Sequence, residues 1–211
     1  MSANKNLFIH HNELKLEAQF FKSELNNEFA VILCHPHPQY GGNMQNNVVS
    51  SVFSRLTKED ITCLRFNFRG VGRSTGTHSG GIGEIEDVKA CEDYLIKENF
   101  NKLLICGYSY GAAIGCSTVN YRDKIVGFIA ISFPWDFMGE EFKKLSQTEK
   151  PKFFIQGNKD SIAKYEKFHE HYENYQDPKE FFIIEGANHF YRGYEDQVAA
   201  KVYGYCNENF N

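Results

Sequence analysis

Apolar residues are spaced along this chain in two alternating rhythms. Leu14, Leu16, Ala18 and Phe20 recur at every second position, as in a strand with one face buried. Leu7–His11 before them reads as a partner strand, and the two form an opening antiparallel pair. Phe29–Cys34 is apolar throughout, which suits a strand buried on both faces. Val48, Val49, Val52, Phe53 and Leu56 then follow helical spacing, predicting a helix over Asn46–Lys58. The alternation continues with a strand over Ile61–Phe68, a helix over Ile82–Glu98, a strand over Leu103–Cys106 and a small-residue helix over Gly111–Val119. Lys124–Phe133 and Lys152–Gln156 read as strands, followed by a helix from Ile162 to Tyr175. Phe181–Glu185 is the last predicted strand and Glu195–Asn207 the last helix.

An opening strand pair followed by repeated β-α units predicts an α/β fold. Its sheet is mostly parallel, about seven to eight strands wide, with helices on both faces. Right-handed crossovers put functional loops at the carboxyl ends of the strands, here just after Cys34, Phe68, Cys106, Phe133, Gln156 and Glu185. No repeat, low-complexity tract or linker interrupts the pattern, so residues 1–211 are expected to form a single domain.

Composition narrows the function classes. The chain is 42% hydrophobic and 15% aromatic, rich enough in large apolar residues to fill a core. Its net charge of −4 gives no electrostatic footprint for nucleic acid. The longest apolar run, Ile125–Trp135, is too short for a membrane span, and Met1–Glu13 has no signal-peptide core, so neither membrane insertion nor export is expected. The six cysteines form no C-x-x-C pair and sit in apolar segments, which reads as reduced thiols in a cytoplasmic protein.

The chemistry is carried by Gly107-Tyr108-Ser109-Tyr110-Gly111, a G-x-S-x-G between a buried strand and a small-residue helix. That context is a nucleophile elbow. Its serine is exposed on a strained turn at a helix N-terminus, and side chains at 107 or 111 would collide with neighbouring backbone. Partners are expected in the order acid, then histidine. His189 lies just past the last strand. Asp160, after the Lys152–Gln156 strand, is the first choice of acid, with Asp136 and then Glu185 as alternatives. Ser109 would attack, His189 would move the proton, and Asp160 would hold the imidazole.

Two oxyanion donors are expected: the N–H of Tyr110, and one from the loop after Cys34. Pro36 and Pro38 have no N–H, which leaves His37, with Gln39 behind it. His35 and His37 lack carboxylate or cysteine partners at ligand spacing, so no metal is expected. Gly70-Val71-Gly72-Arg73-Ser74-Thr75-Gly76 misses dinucleotide spacing, and no cofactor is expected. Arg69 and Arg73 are candidates to meet an anionic substrate group.

The chain resembles small α/β-hydrolases of the dienelactone-hydrolase-like kind over residues 30–205. The resemblance rests on His35-Pro36-His37-Pro38 with Gly41, Gly42, Met44, Asn46 and Val48, on Arg65–Ser74, on the Ser109 elbow, and on Gly157–Asp160 with Gly186–His189. It implies an α/β-hydrolase fold and Ser-His-Asp hydrolysis of ester-like bonds. The nucleophile is Ser109, where dienelactone hydrolases proper use cysteine, which turns the expectation toward a serine esterase. Only 18 residues, 134–151, separate Phe133 from Lys152, too few for a large lid. The site is expected to be open, walled by Tyr40, Tyr108, Trp135 and Phe190, and to take a small-molecule acyl ester. Thioesters and amides use the same apparatus, and a non-catalytic binding module is the rival from another class.

Overall fold

A fully apolar run can be buried on both faces only if helices cover the sheet on both sides. In the computed structural model, which describes residues 4–25 and 28–210, this is how the chain folds. Residues 1–3, 26, 27 and 211, including both ends of the expected single domain, lie outside the described residues. The strands are β1 (Lys5–His11), β2 (Leu14–Phe21), β3 (Phe29–Cys34), β4 (Cys63–Phe66), β5 (Lys102–Tyr108), β6 (Ile125–Ile131), β7 (Lys152–Gly157) and β8 (Lys179–Ile184). They form one sheet in the order β1-β2-β4-β3-β5-β6-β7-β8. β1–β2 and β2–β4 pair antiparallel, and every other pair is parallel.

The helices are α1 (Asn47–Lys58), α2 (Ile82–Lys97), α3 (Tyr110–Cys116), α4 (Trp135–Met138), α5 (Glu140–Leu145), α6 (Phe168–Glu173) and α7 (Glu195–Phe210). Val31, Leu33, Leu104 and Cys106 pack under α1 and α7 on one face. Ile32, Leu103 and Ile105 pack under α2, α3 and α6 on the other. From β3 the chain runs outward through β4 in one direction and through β5 to β8 in the other. The strand order therefore reverses between β3 and β5, and a crevice at the carboxyl ends of the strands is expected there.

The differences from the predicted elements have local causes. β4 ends at Phe66. Asn67 N–H still reaches Glu17 O on β2 (2.8 Å), but Phe68 N–H turns to the His35 side chain, at 3.1 Å from Nε2. The helix expected over 162–175 shrinks to a 3-10 turn at Tyr165–Lys167 and the short α6. Ile162 and Ala163 instead give their N–H groups to Asp160 Oδ1, both at 2.9 Å. The segment between β6 and β7 folds into α4 and α5, split at Gly139 with φ 87°, and forms no large lid.

Candidate active site

The turn from β5 into α3 is as crowded as a nucleophile elbow requires. A Cβ on Gly107 would lie 2.2 Å from Gly111 O, and one on Gly111 would lie 2.3 Å from Cys34 O. Between them Ser109 sits at φ 55° and ψ −121°. A non-glycine residue at such angles costs on the order of 1–3 kcal/mol, so its surroundings must enforce it. Ser109 N–H donates to Ile131 O (2.8 Å), and Ser109 O accepts from Ala112 N–H (2.8 Å). The turn is pinned from β6 on one side and from α3 on the other.

Ser109 Oγ lies 2.8 Å from His189 Nε2, and His189 Nδ1 lies 2.8 Å from Asp160 Oδ2. A carboxylate only accepts, so Nδ1 carries the proton and Nε2 accepts from the serine hydroxyl. All three residues are buried. Tyr108 O–H donates to His189 O at 2.5 Å and fixes the loop that carries the imidazole. Asp160 Oδ2 takes a second hydrogen bond from Ser132 Oγ (2.7 Å), and Tyr191 OH lies 2.7 Å behind Ser132 Oγ. Since the Ser132 proton goes to the carboxylate, the phenol is the donor to Ser132. Burial pushes the Tyr191 phenol well above its ordinary value, so it keeps that proton.

The alternative acids are placed elsewhere. Asp136 faces Lys167 Nζ (3.4 Å) and His171 Nε2 (3.3 Å). Glu185 accepts from Asn158 Nδ2.

The loop after β3 is held by residues that the sequence reading assigned no separate task. Met44 N–H donates to Asn67 Oδ1 (2.8 Å), Arg65 Nη1 donates to Met44 O (3.0 Å), and Asn46 Oδ1 caps α1 at Val48 N–H (3.0 Å). A Cβ on Gly42 would lie 2.0 Å from Pro36 O, so the loop closes only with glycine there. His35 is fully buried. Its Nδ1–H donates to Pro36 O (2.6 Å) and its Nε2 accepts from Phe68 N–H. Burial lowers its pKa to about 4, so both ring nitrogens serve the loop and neither is free for a metal. Gln39 N–H is spent on His37 Nδ1 (3.2 Å), so it is removed as a second donor. His37 and Tyr110 are neighbours, with ring centroids 4.6 Å apart. Among the described residues neither backbone N–H has an acceptor.

The expected walls divide. Tyr40 and Phe190 are exposed at the rim. Trp135 is not a wall. It is buried in the core between Phe133 and His171 (centroids at 5.0 Å each), with its indole N–H on Tyr175 OH. Tyr108 is buried as well, and its task is the hydrogen bond to His189 O. The arginines expected near an anionic group are also committed elsewhere. Arg69 grips Asp87 through Nε and Nη2 (2.7 Å at closest), and the Arg73 guanidinium lies 4.8 Å over the Phe8 ring. Ser132 and Tyr191 were missed, since a left-handed φ of 48° or 53° at a non-glycine residue leaves no mark in sequence.

Cys106, three residues before Ser109, is buried in β5 with its thiol pushed up to about 12, which leaves it inert. No described group of three or more His, Cys, Asp or Glu side chains comes together as a metal site, and no described helix is long and apolar enough to cross a membrane.

Comparison with known proteins agrees with this architecture. The family described as the alpha/beta hydrolase domain matches residues 27–200. An uncharacterised protein of Rickettsia prowazekii is 34% identical over 201 residues, covering 92% of this chain and 84% of that one. An alpha-beta serine hydrolase homologue from Coxiella burnetii superposes with a TM-score of 0.85 at 29% identity, over 96% of this chain and 97% of that one. A putative alpha/beta hydrolase from Agrobacterium tumefaciens gives a TM-score of 0.88 at 29% identity, over 98% of this chain and 97% of that one. With the fold and the match over most of its length, this chain belongs to the alpha/beta hydrolase family, as a small member with no large lid.

Proposed function

We propose that the chain hydrolyses carboxylic esters of small to medium acyl groups through Ser109, His189 and Asp160. The observation that carries this reading is the unbroken hydrogen-bond line from a strained serine hydroxyl through an imidazole to a buried carboxylate, 2.8 Å at each step.

Ser109 Oγ attacks the ester carbonyl while His189 Nε2 takes its proton. The new imidazolium keeps Nδ1–H on Asp160, which stabilises its charge. The carbonyl oxygen becomes an oxyanion facing the N–H groups of Tyr110 and His37. Its collapse returns the carbonyl, and the alcohol leaves with the proton from His189. Water, deprotonated by the same imidazole, then cleaves the acyl-serine, giving the acid and free Ser109. Thioesters fit the same steps, and an amide would need the same protonated imidazole for its amine. The steps use no cofactor. The net charge of −4 supports small-molecule substrates over nucleic acid, and six unpaired, buried thiols support a cytoplasmic location.

A fluorophosphonate probe tests the reading by intact mass. One adduct is expected on the wild-type chain and none on Ser109→Ala, together with loss of p-nitrophenyl butyrate turnover. A folded wild-type protein that takes no label would sink it.

A further inference from the structure

Nine large hydrophobic side chains stand exposed among the described residues, and three of them form a partial apolar ring beside the proposed catalytic groups. Tyr40, Phe137 and Phe190 come one each from the connections after β3, β6 and β8. Ser109 itself follows β5, so all three stand beyond the carboxyl ends of strands in the same sheet. Scattered exposed apolar residues need no explanation, but a group of them beside a nucleophile marks a binding surface.

The ring has two chemically different sides. On one, Tyr40, His37 and Phe137 converge. His37 lies 4.8 Å from Tyr40 and 6.1 Å from Phe137, and Tyr40 lies 6.5 Å from Phe137, between ring centroids. Tyr40 is 78% exposed and Phe137 56%, so both keep ring surface for a ligand. His37 also leans on Tyr110, next to the nucleophile. On the other side Phe190 stands alone, 5.9 Å from the His189 ring.

Resting on the hydrolase reading above, we propose that the Tyr40–His37–Phe137 cluster is the acyl seat, and that it selects esters whose acyl group ends in a planar aromatic ring. The assignment of sides follows from proton transfer. His189 must reach the leaving oxygen, so the alcohol lies on the His189 and Phe190 side. The carbonyl oxygen faces His37 and Tyr110 N–H. The group that stays on Ser109 is then directed to the Tyr40–Phe137 side. Flat rings gain there from offset and edge contacts that a puckered ring of equal bulk cannot make.

The test compares methyl 3-phenylpropanoate with methyl 3-cyclohexylpropanoate, which share chain length and leaving group. The phenyl ester is expected to have about tenfold higher kcat/KM. Tyr40→Ala with Phe137→Ala should erase that preference while circular dichroism shows the fold retained, since both side chains are at the surface. Phe190→Ala should instead weaken benzyl acetate relative to methyl acetate. Equal turnover of the two ring esters, or a double variant that damages the alcohol series instead, overturns the seat. Binding of the two ring esters to Ser109→Ala, followed by NMR, reads the seat without turnover. Phenyl preference there with an inert wild type would refute the hydrolase reading alone, and equal affinity would refute the seat alone. Tight adsorption of the wild type to phosphatidylcholine vesicles, lost in the double variant and without ring preference, would make the ring a lipid-docking surface and also overturn the seat.

Discussion

Asp160 and Glu92 are both carboxylates buried away from water, and the protein treats them in opposite ways. Asp160 meets four donors: Ile162 N–H and Ala163 N–H on Oδ1, and His189 Nδ1–H and Ser132 Oγ–H on Oδ2. Among the described residues Glu92, on α2, meets only Thr118 Oγ1, at 2.5 Å from its Oε1, and its Oε2 has no hydrogen-bond partner. Burial pushes the Glu92 pKa up to about 8, Asp93 adds to the rise, and Thr118, Arg122 and Lys89 only partly oppose it. Proton counting agrees. Thr118 Oγ1 has one proton for two acceptors, Glu92 Oε1 and Gly115 O (2.9 Å), and a Glu92 that holds its own proton donates to Thr118 and leaves the hydroxyl proton to Gly115. A buried carboxylate is therefore supplied with donors where the proposed chemistry needs its charge. Elsewhere it holds its proton.

The contrast is broken hardest at Asp160. Asp160→Asn keeps the shape but puts an amide where His189 Nδ1–H needs an acceptor charge, which disturbs the imidazole tautomer. A loss on the order of 10⁴ in kcat is expected, with KM little changed. Steady-state kinetics on a chromogenic ester would measure it. Activity within tenfold of wild type would mean that the carboxylate does not serve His189.

Glu92 gives the next largest effect, on stability. Its folded pKa lies above the ordinary value of 4.5, so between those pH values the folded chain binds the extra proton. Stability is then fully present below about pH 4.5 and falls as pH rises toward about 8, at roughly 1.4 kcal/mol per unit at most. Glu92→Gln imitates the protonated acid, and should be more stable than wild type at pH 9 by a few kcal/mol, on the order of the charge-burial cost. Urea melts at pH 5, 7 and 9 would show this, and parallel curves for the two proteins would contradict it.

How much of this was legible in sequence depends on whether a feature is local. The all-apolar Phe29–Cys34 run and the glycines flanking Ser109 announce β3 and the elbow, because burial and crowding act on the residues that carry them. The proposed acid and base, Asp160 and His189, could be picked out by chain order, since each follows a strand end on the same side of Ser109. Trp135 was misread because an aromatic residue just past a strand end packs equally well on a rim or in a core. Here Phe133, His171 and Tyr175 enclose it. Ser132 was not legible at all. Its role depends on a backbone torsion and on Tyr191, 59 residues further along the chain.

Ser132→Ala sharpens the comparison by removing one of the four donors on Asp160. Loss of one hydrogen bond to a charged group, about 1.5 kcal/mol, predicts about a tenfold drop in kcat. Ser132→Gly separates hydroxyl from backbone. Glycine relieves the φ of 48° but restores no hydroxyl, so it should be as impaired as alanine. Full activity in the glycine variant would mean that the strained turn, not the hydrogen bond, is what the site uses.

The smallest effect is expected at Asp136, which chain order alone could not separate from Asp160. Its carboxylate is partly exposed, ion-paired with Lys167 and 3.3 Å from His171 Nε2, on a helix whose neighbour Trp135 is core. Desolvation works to raise its pKa, but Lys167 and then His171 hold it below the ordinary range, so it is already charged and partnered at neutral pH. Such pairs contribute about 0–1 kcal/mol to stability, and none of these partners touches His189. Asp136→Asn should therefore leave kcat/KM within about twofold of wild type and move the denaturation midpoint only slightly. A loss comparable to that of Asp160→Asn would make Asp136 the acid that serves His189 in solution. The four donors on Asp160 would then be supporting the loop after β7 rather than the chemistry.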